Sequence, residues 1–328
     1  MRRQIRGFWV AGSMVAASAL LSLQPLVAST RMVSLAFNSH LQNPQQVGSD
    51  TLRQKLQALA GKRIILDERV GGALGSENAI LAATRSGAVD VAVLSGGVVS
   101  GAIPEMGVFD IPFLFRDVAH AKAVMQGPVG AAIAAKFADK GLVLLALGKQ
   151  GFRDITNSKR PIRSPDDLKG LKFRVIPNPI YQMTFKALGA EVVPMEFPLV
   201  YAALKDGRLD GQENPPSTMA ASRFNEVQKY LTLSDHFFAP IAFVANRAMF
   251  EQLDPSDQEA LIAAAKAGAE ATWQSQLDAE KLEQLRRAGM DVIDKVDRQP
   301  FIDALKPLEP EFEKRFGKDL LAAIRSTR

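Results

Sequence analysis

Between positions 151 and 215 the chain carries two arginines and an amide suited to holding an anion: Arg153, Arg174 and Asn214. Arg174 lies in Leu171–Val175, which reads as a strand. Arg153 follows Gly151, and Asn214 closes the stretch Leu209-Asp-Gly-Gln-Glu-Asn-Pro215. A guanidinium on a rigid strand presents a planar fork of donors that matches a carboxylate in two parallel hydrogen bonds. The chemistry open to this set is capture of a small organic acid, with Arg174 making the bidentate contact and Arg153 and Asn214 adding donors. Each charge-assisted hydrogen bond contributes about 1.5–3 kcal/mol. Two or three of them in a closing cleft approach the roughly 8 kcal/mol of micromolar binding. The blander alternative for Arg153 is a surface ion pair with Asp154 or another acid, which contributes little.

Other chemistries are poorly served. The chain has no cysteine, which excludes disulfides, thiolate metal sites and a cysteine nucleophile. His40, His120 and His236 are scattered without metal-ligand spacing. Gly71-Gly72-Ala-Leu-Gly75 is followed by no Lys-Ser/Thr, so it reads as a tight turn rather than a phosphate cradle. No Gly-x-Ser-x-Gly elbow and no serine with an oriented base support a secreted hydrolase. The sequence therefore points to a binder, with no metal, no cofactor and no catalytic residue.

The elements that would position these groups alternate. At 328 residues with 47% apolar content, the chain is long enough for two domains with sizeable cores. Met1–Arg6 is a basic start, Phe8–Leu23 an uncharged apolar run, and Val27-Ala28-Ser29 a small-residue cleavage site. Residues 1–29 thus read as a secretory signal peptide, with an uncleaved anchor as the alternative. Cleavage removes three arginines and no acid, taking the formal charge from +5 to +2. We expect export to the periplasm, no nucleic-acid role and no stable membrane insertion.

Strands are expected at Met32–Phe37, Arg63–Asp67 and Val89–Leu94, with helices between them, predicting a parallel opening sheet with right-handed crossovers. The alternation resumes with Gly141–Leu147, Leu171–Val175, Glu191–Pro194, Leu209–Gln212 and His236–Ala245, the last able to return the chain to the first domain. Asp254-Pro255 opens a helix expected to run to Ala288, roughly 50 Å at 1.5 Å per residue and long enough to lie along both domains. Gly268 inside it is the weak point. Domain I is assigned to 30–150 plus 240–279, and domain II to 151–239 plus 280–328. Ligands of open parallel sheets bind beyond the carboxyl ends of the strands. That adds Asn38, His40, Ser95 and Phe152 to the candidates.

A resemblance then enters. Gly151–Asn157, Leu168–Val175, Leu188–Ala190, Asp210–Pro215, Glu226–Tyr230, Gly75–Asn78 and Ile111–Phe113 together resemble the signature of TRAP-transporter solute-binding proteins, the family named for C4-dicarboxylate binding. The resemblance implies a two-domain α/β periplasmic solute-binding protein fold, class II-like, with a hinge cleft and a long helix spanning both domains. It implies delivery of an organic acid to membrane permease subunits driven by an ion gradient. Arg174 would clamp the carboxylate, Arg153 and Asn214 would line the pocket, Asn38 and Ser95 would touch the far end, and Phe197 would pack on the solute. The family commonly has Glu where Leu199 stands here. The binding component of an ATP-driven importer, or a sensor's periplasmic partner, shares the architecture.

Overall fold

A computed structural model describes residues 30–38 and 42–328. The expected signal segment 1–29 and His40 fall outside the described residues. The strands are β1 (Arg31–Ala36), β2 (Ile64–Arg69), β3 (Val91–Ser95), β4 (Leu142–Asn157), β5 (Lys172–Val175), β6 (Glu191–Pro194), β7 (Gly211–Asn214), β8 (Tyr230–Asn246) and β9 (Asp291–Ile293). They form one mixed sheet in the order β2-β1-β3-β8-β4-β7-β5-β6, with β9 also on β8.

The two long strands explain how one sheet serves two lobes. The carboxyl half of β8, from Ile241 to Ala245, pairs with β3, whereas its amino end, Tyr230–Thr232, pairs with β9. β4 follows β8 antiparallel along its whole length and adds β7 at Asp154–Asn157. Register shifts interrupt this pairing at Leu144/Ala146, Lys149/Gly151 and Arg153/Ile155. Such shifts bend a strand and increase its twist, and the last two fall midway between the lobes. The expected parallel opening is present, since β1 pairs in parallel with both β2 and β3. The whole sheet is not parallel, because β8 runs antiparallel to β3 and β4, and β4 runs antiparallel to β7.

Helices cover the sheet for local reasons. α1 (Pro44–Ala60) starts where the Asn43 side chain accepts from Gln46 N and Pro44 supplies a preset φ. α2 (Glu77–Ser86) is capped by Ser76 and ends on Gly87 in the left-handed region. Leu52 and Leu56 of α1, with Leu261 and Ala265 of the Pro255–Gln274 helix, bury against Val33, Val93 and Phe243. A second core, around Val200, Leu204, Phe224, Leu231 and Leu285, belongs to the other lobe.

The expected helix from 254 to 288 is two helices, Pro255–Gln274 and Leu277–Arg287. The break lies at Ser275-Gln276 and not at Gly268. Gly268 is instead a contact point: a Cβ there would stand 2.4 Å from the Gly48 carbonyl oxygen of α1, so its absence lets the two helices approach. At the break, Lys149 Nζ reaches across from β4 to donate to Ser275 O at 2.7 Å. Thr272 Oγ1 accepts from Lys149 N at 2.8 Å, and Trp273 Nε1 donates to Leu147 O at 3.0 Å. Of these, the Lys149 contact takes up Ser275 O, a carbonyl that a continuing helix would have used.

Candidate functional site

The carboxyl ends of β1 and β3 from one half of the sheet face β4, β5 and β7 from the other across a cavity. It is lined by Asn38, Gln45, Glu77, Ser95 and Val98 on one side. Arg153, Arg174, Ile176, Pro177, Glu196, Phe197, Asn214 and Thr218 line the other, with Gln150 between. Six sequence candidates therefore meet here: Asn38, Ser95, Arg153, Arg174, Phe197 and Asn214. The room for the centres of water-sized molecules is about 30 Å³, two or three waters at 10–15 Å³ each. A solute of more than a few heavy atoms needs the two walls to part. Asn38 and Phe197 also border an adjoining hollow of about 490 Å³ between the Gly71–Gly75 turn and residues 197–201 and 221–224.

Phe152 does not join them. It packs edge-on against Phe238, with ring centroids 5.2 Å apart, and lines a separate hollow with Lys149, Asp154 and Asp278. Successive strand residues face opposite ways, so Arg153 pointing into the cavity sends Phe152 to the other face. Gln150 reaches the same cavity as Arg153 because the strand is irregular at Gly151, whose φ is +137°.

The two arginines differ in their partners. Arg153 is 1% exposed and already neutralised. Its Nε donates to Glu213 Oε2, and its Nη2 donates to Glu213 Oε1 at 2.9 Å, Glu213 O at 2.7 Å and Asn214 Oδ1 at 3.1 Å. The surface pair with Asp154 is therefore not what forms. The acid is Glu213, and the pair is buried. Burial alone would depress the Arg153 guanidinium, but Glu213 offsets this and raises it above its ordinary value. Burial likewise favours the neutral form of Glu213, and Arg153 overrides it, holding the carboxylate low. His236 stands behind them with Nε2 3.5 Å from Glu213 Oε2 and Nδ1 2.8 Å from Ser234 Oγ. Burial lowers its pKa below the usual histidine value.

Arg174 is 2% exposed and lacks such a partner. Its Nε donates to Met195 O at 2.9 Å, and its guanidinium carbon lies 5.8 Å from the centroid of the Phe197 ring. Nη1 is buried with no hydrogen-bond partner among the described residues. Burial pulls its pKa down to about 10 while Glu213 opposes the shift, so it is a cation at neutral pH. Three other buried polar atoms of cavity-lining residues also lack partners: Asn38 Nδ2, Gln150 Oε1 and Thr218 Oγ1. A buried polar group without a partner costs about 1–3 kcal/mol, and four such atoms border this one cavity.

Sequence reasoning missed Gln45, Glu77, Gln150, Glu196 and Thr218. Glu77 opens α2 directly after the Ser76 cap, a position where an acid is ordinarily read as pairing with the helix dipole. Here its Oε1 accepts from Gln45 Nε2 at 2.8 Å, Ser95 N at 2.9 Å and Ser95 Oγ at 3.1 Å. Glu196, three residues before the exposed Leu199, accepts from Asn78 Nδ2 at 2.7 Å and so ties the two walls together. Among the described residues no group of His, Asp or Glu is arranged to hold a metal ion, and no helix is long and apolar enough to cross a membrane.

Residues 42–315 match the profile of the bacterial extracellular solute-binding protein family 7. A solute-binding protein of Verminephrobacter eiseniae is 40% identical over 296 residues, covering 90% of this chain and 87% of its own. The 2,3-diketo-L-gulonate-binding periplasmic protein of Escherichia coli is 36% identical over 296 residues, covering 84% of this chain and 90% of its own. Among solved structures, a TRAP periplasmic solute-binding protein from Polaromonas sp. JS666, bound to D-erythronate, superposes with a TM-score of 0.88 at 33% identity, covering 90% of this chain and 99% of that one. The chain belongs to the bacterial extracellular solute-binding protein family 7, the solute receptors of TRAP transporters.

Proposed function

We propose that this protein captures a small organic acid in the cavity between its lobes and carries it, unchanged, to the permease subunits of a TRAP transporter. The observation that carries the reading is Arg174: a buried cation whose Nη1 has no partner, in a cavity where Asn38 Nδ2, Gln150 Oε1 and Thr218 Oγ1 are also unmatched. A carboxylate supplies the missing charge and acceptors. In this reading Arg174 makes the charged contact, Asn214 and Arg153 shape the wall beside it, Asn38 and Ser95 meet the rest of the solute, and Phe197 packs on it.

The ligands of relatives support an acid, since the Polaromonas protein holds D-erythronate and the Escherichia coli relative is named for 2,3-diketo-L-gulonate. The narrowness of the cavity supports opening and closing. We place the hinge at Gly151 and the β4 register shifts, at Asp235 in β8 with φ +46°, and at Ser275-Gln276, where the chain passes between lobes. These crossings lie near the assigned lobe bounds, 30–150 plus 240–279 and 151–239 plus 280–328, with the second and third falling a few residues before them. Residues 1–29 serve as the export signal, and the protein works in the periplasm. A titration-calorimetry screen of organic acids tests the function. Saturable binding with recovery of the acid unaltered supports it, and absence of binding by any carboxylate contradicts it.

A further inference from the structure

The lobes also meet at a buried polar junction whose residues do not line the cavity. Directly after the cavity-lining Ile176-Pro177, on the segment that leaves the Arg174 strand, Asn178 turns its amide onto the facing lobe. Asn178 Nδ2 stands 2.8 Å from Asp110 Oδ2, 2.7 Å from Ser100 Oγ and 2.8 Å from Gly97 O. Ser100 Oγ donates to the same Asp110 Oδ2 at 2.8 Å. Tyr181 packs so closely beside them that a Cβ at Gly97 would stand 3.2 Å from its hydroxyl oxygen. All five residues are buried. In the lobe assignment proposed above, Gly97, Ser100 and Asp110 belong to one lobe, and Asn178 and Tyr181 to the other.

The bonding of Asp110 is one-sided. Oδ2 takes both side-chain donors, while Oδ1 is buried with no hydrogen-bond partner among the described residues. A proton on Oδ1 would remove the buried charge and leave the bonds to Oδ2 in place. Burial pushes the Asp110 pKa up to about 6, against the hydrogen bonds from Ser100 and Asn178 and the charges of Arg153 and Arg315. Tyr181 is the remaining titratable group facing it from the Pro179–Ala187 helix. β8 also packs on the Pro104–Asp110 segment, but its Asp235 pairs with Arg298 and its His236 faces Glu213. Glu105 of the segment itself is exposed, and Gly96–Val99 carries no titratable side chain. If the lobes part at this junction, water reaches Asp110 and its pKa returns toward the ordinary 3.8. The closed form then binds more protons than the open one, so acid favours closure.

We infer that Asp110 and Asn178 form a latch between the lobes, away from the solute, which positions the Arg174 strand as the cleft closes and takes up a proton as it engages. Both are positioning residues. The inference rests on the proposed function, because closure is read through solute binding.

The test is calorimetric titration with D-erythronate, D-gluconate and L-lactate, each in two buffers of different ionisation enthalpy, which counts the protons taken up with the acid. From a closed value of about 6 and an open value of 3.8, uptake should be about 0.7 proton at pH 5.5 and below about 0.1 at pH 7.5, with Kd rising about 4-fold between them. Asp110→Asn keeps the shape and is neutral at both pH values. It should remove at least about half of the uptake and of the pH dependence. Asn178→Ala opens the latch and should weaken binding at least about 5-fold at pH 5.5. If Asp110→Asn does not fold, Ser100→Ala takes its place: losing a donor to the charged carboxylate, it should increase uptake at pH 6.5. Absence of uptake by the wild type overturns the inference, as does uptake that stays more than half intact in folded Asp110→Asn or fails to increase in Ser100→Ala. Solute binding that persists in those cases leaves the proposed function standing. Failure of all three acids to bind overturns the inference and leaves the function to the wider screen, whereas binding of no carboxylate at all removes both.

Discussion

Replacing Arg174 by Ala separates a clamp from a structural arginine, because the two roles predict opposite effects on the empty protein. In the unliganded cavity Arg174 is a buried cation holding one hydrogen bond, Nε to Met195 O, and a ring contact with Phe197. Those contribute about 1 kcal/mol and about 1–2 kcal/mol. Against them stands the burial of a charge with no hydrogen-bonded counter-ion, an effective penalty of several kcal/mol. Truncation should leave unliganded stability unchanged or slightly raised. Solute binding should suffer much more. Two charge-assisted hydrogen bonds at about 1.5–3 kcal/mol each amount to about 3–6 kcal/mol, or a roughly 10²- to 10⁴-fold rise in Kd. Arg174→Lys should recover little, since a point charge does not reproduce the fork. The assay is calorimetric titration with a binding acid, paired with urea unfolding of the empty protein. Wild-type affinity together with a stability loss above about 2 kcal/mol would refute the reasoning.

The neighbouring arginine should behave in the reverse manner. Arg153→Ala leaves Glu213 buried and uncompensated, so urea unfolding should show a loss of about 3–5 kcal/mol. Gly268→Ala ordinarily gains up to about 1 kcal/mol in a helix. Here the added Cβ meets the Gly48 carbonyl oxygen at 2.4 Å, so overpacking of about 1–3 kcal/mol should win and the melting temperature should fall. His236 has a folded pKa below its ordinary value because burial disfavours its charged form. The unfolded chain therefore takes up more protons below about pH 6.5, and the contribution of neutral His236 is lost as pH falls. The stability advantage of wild type over His236→Gln should shrink between pH 7 and 5 in urea unfolding, and a widening gap contradicts the sign. X-ray scattering should show a smaller radius of gyration with bound acid, and identical profiles would count against hinge closure.

Much of the candidate cavity's lining was readable because Asn38, Ser95, Arg174 and Asn214 sit at or near the carboxyl ends of strands, where open sheets bind their ligands. Arg153 instead lies inside β4. The return of the chain through β8 was legible in the β-branched and aromatic run His236–Ala245. The partner of Arg153 was not. Glu213 lies 60 residues away and becomes its neighbour only when β7 pairs with β4. The local sequence offered Asp154 instead, but that side chain is directed toward Asp235 N. Phe152 was added as a residue beyond the expected Gly141–Leu147 strand, whereas β4 runs on to Asn157 and its adjacent residues alternate, so Phe152 faces away from the cavity. The helix break at Ser275-Gln276 has no Gly or Pro to announce it. It depends on Leu147 and Lys149 of β4 meeting Thr272, Trp273 and Ser275, which are distant in sequence. Glu77 and Glu196 escaped notice because acids near helix starts and in loops are mostly caps and surface charges.

The most direct measurement of the central claim is a crystal structure of the protein with the tightest-binding acid from the calorimetric screen. A carboxylate within hydrogen-bonding distance of the Arg174 Nη nitrogens, with Arg153 still paired to Glu213, is the expected result. A carboxylate seated elsewhere in the cavity, or an Arg174 side chain turned away from it toward Glu77 or Glu196, would contradict the account.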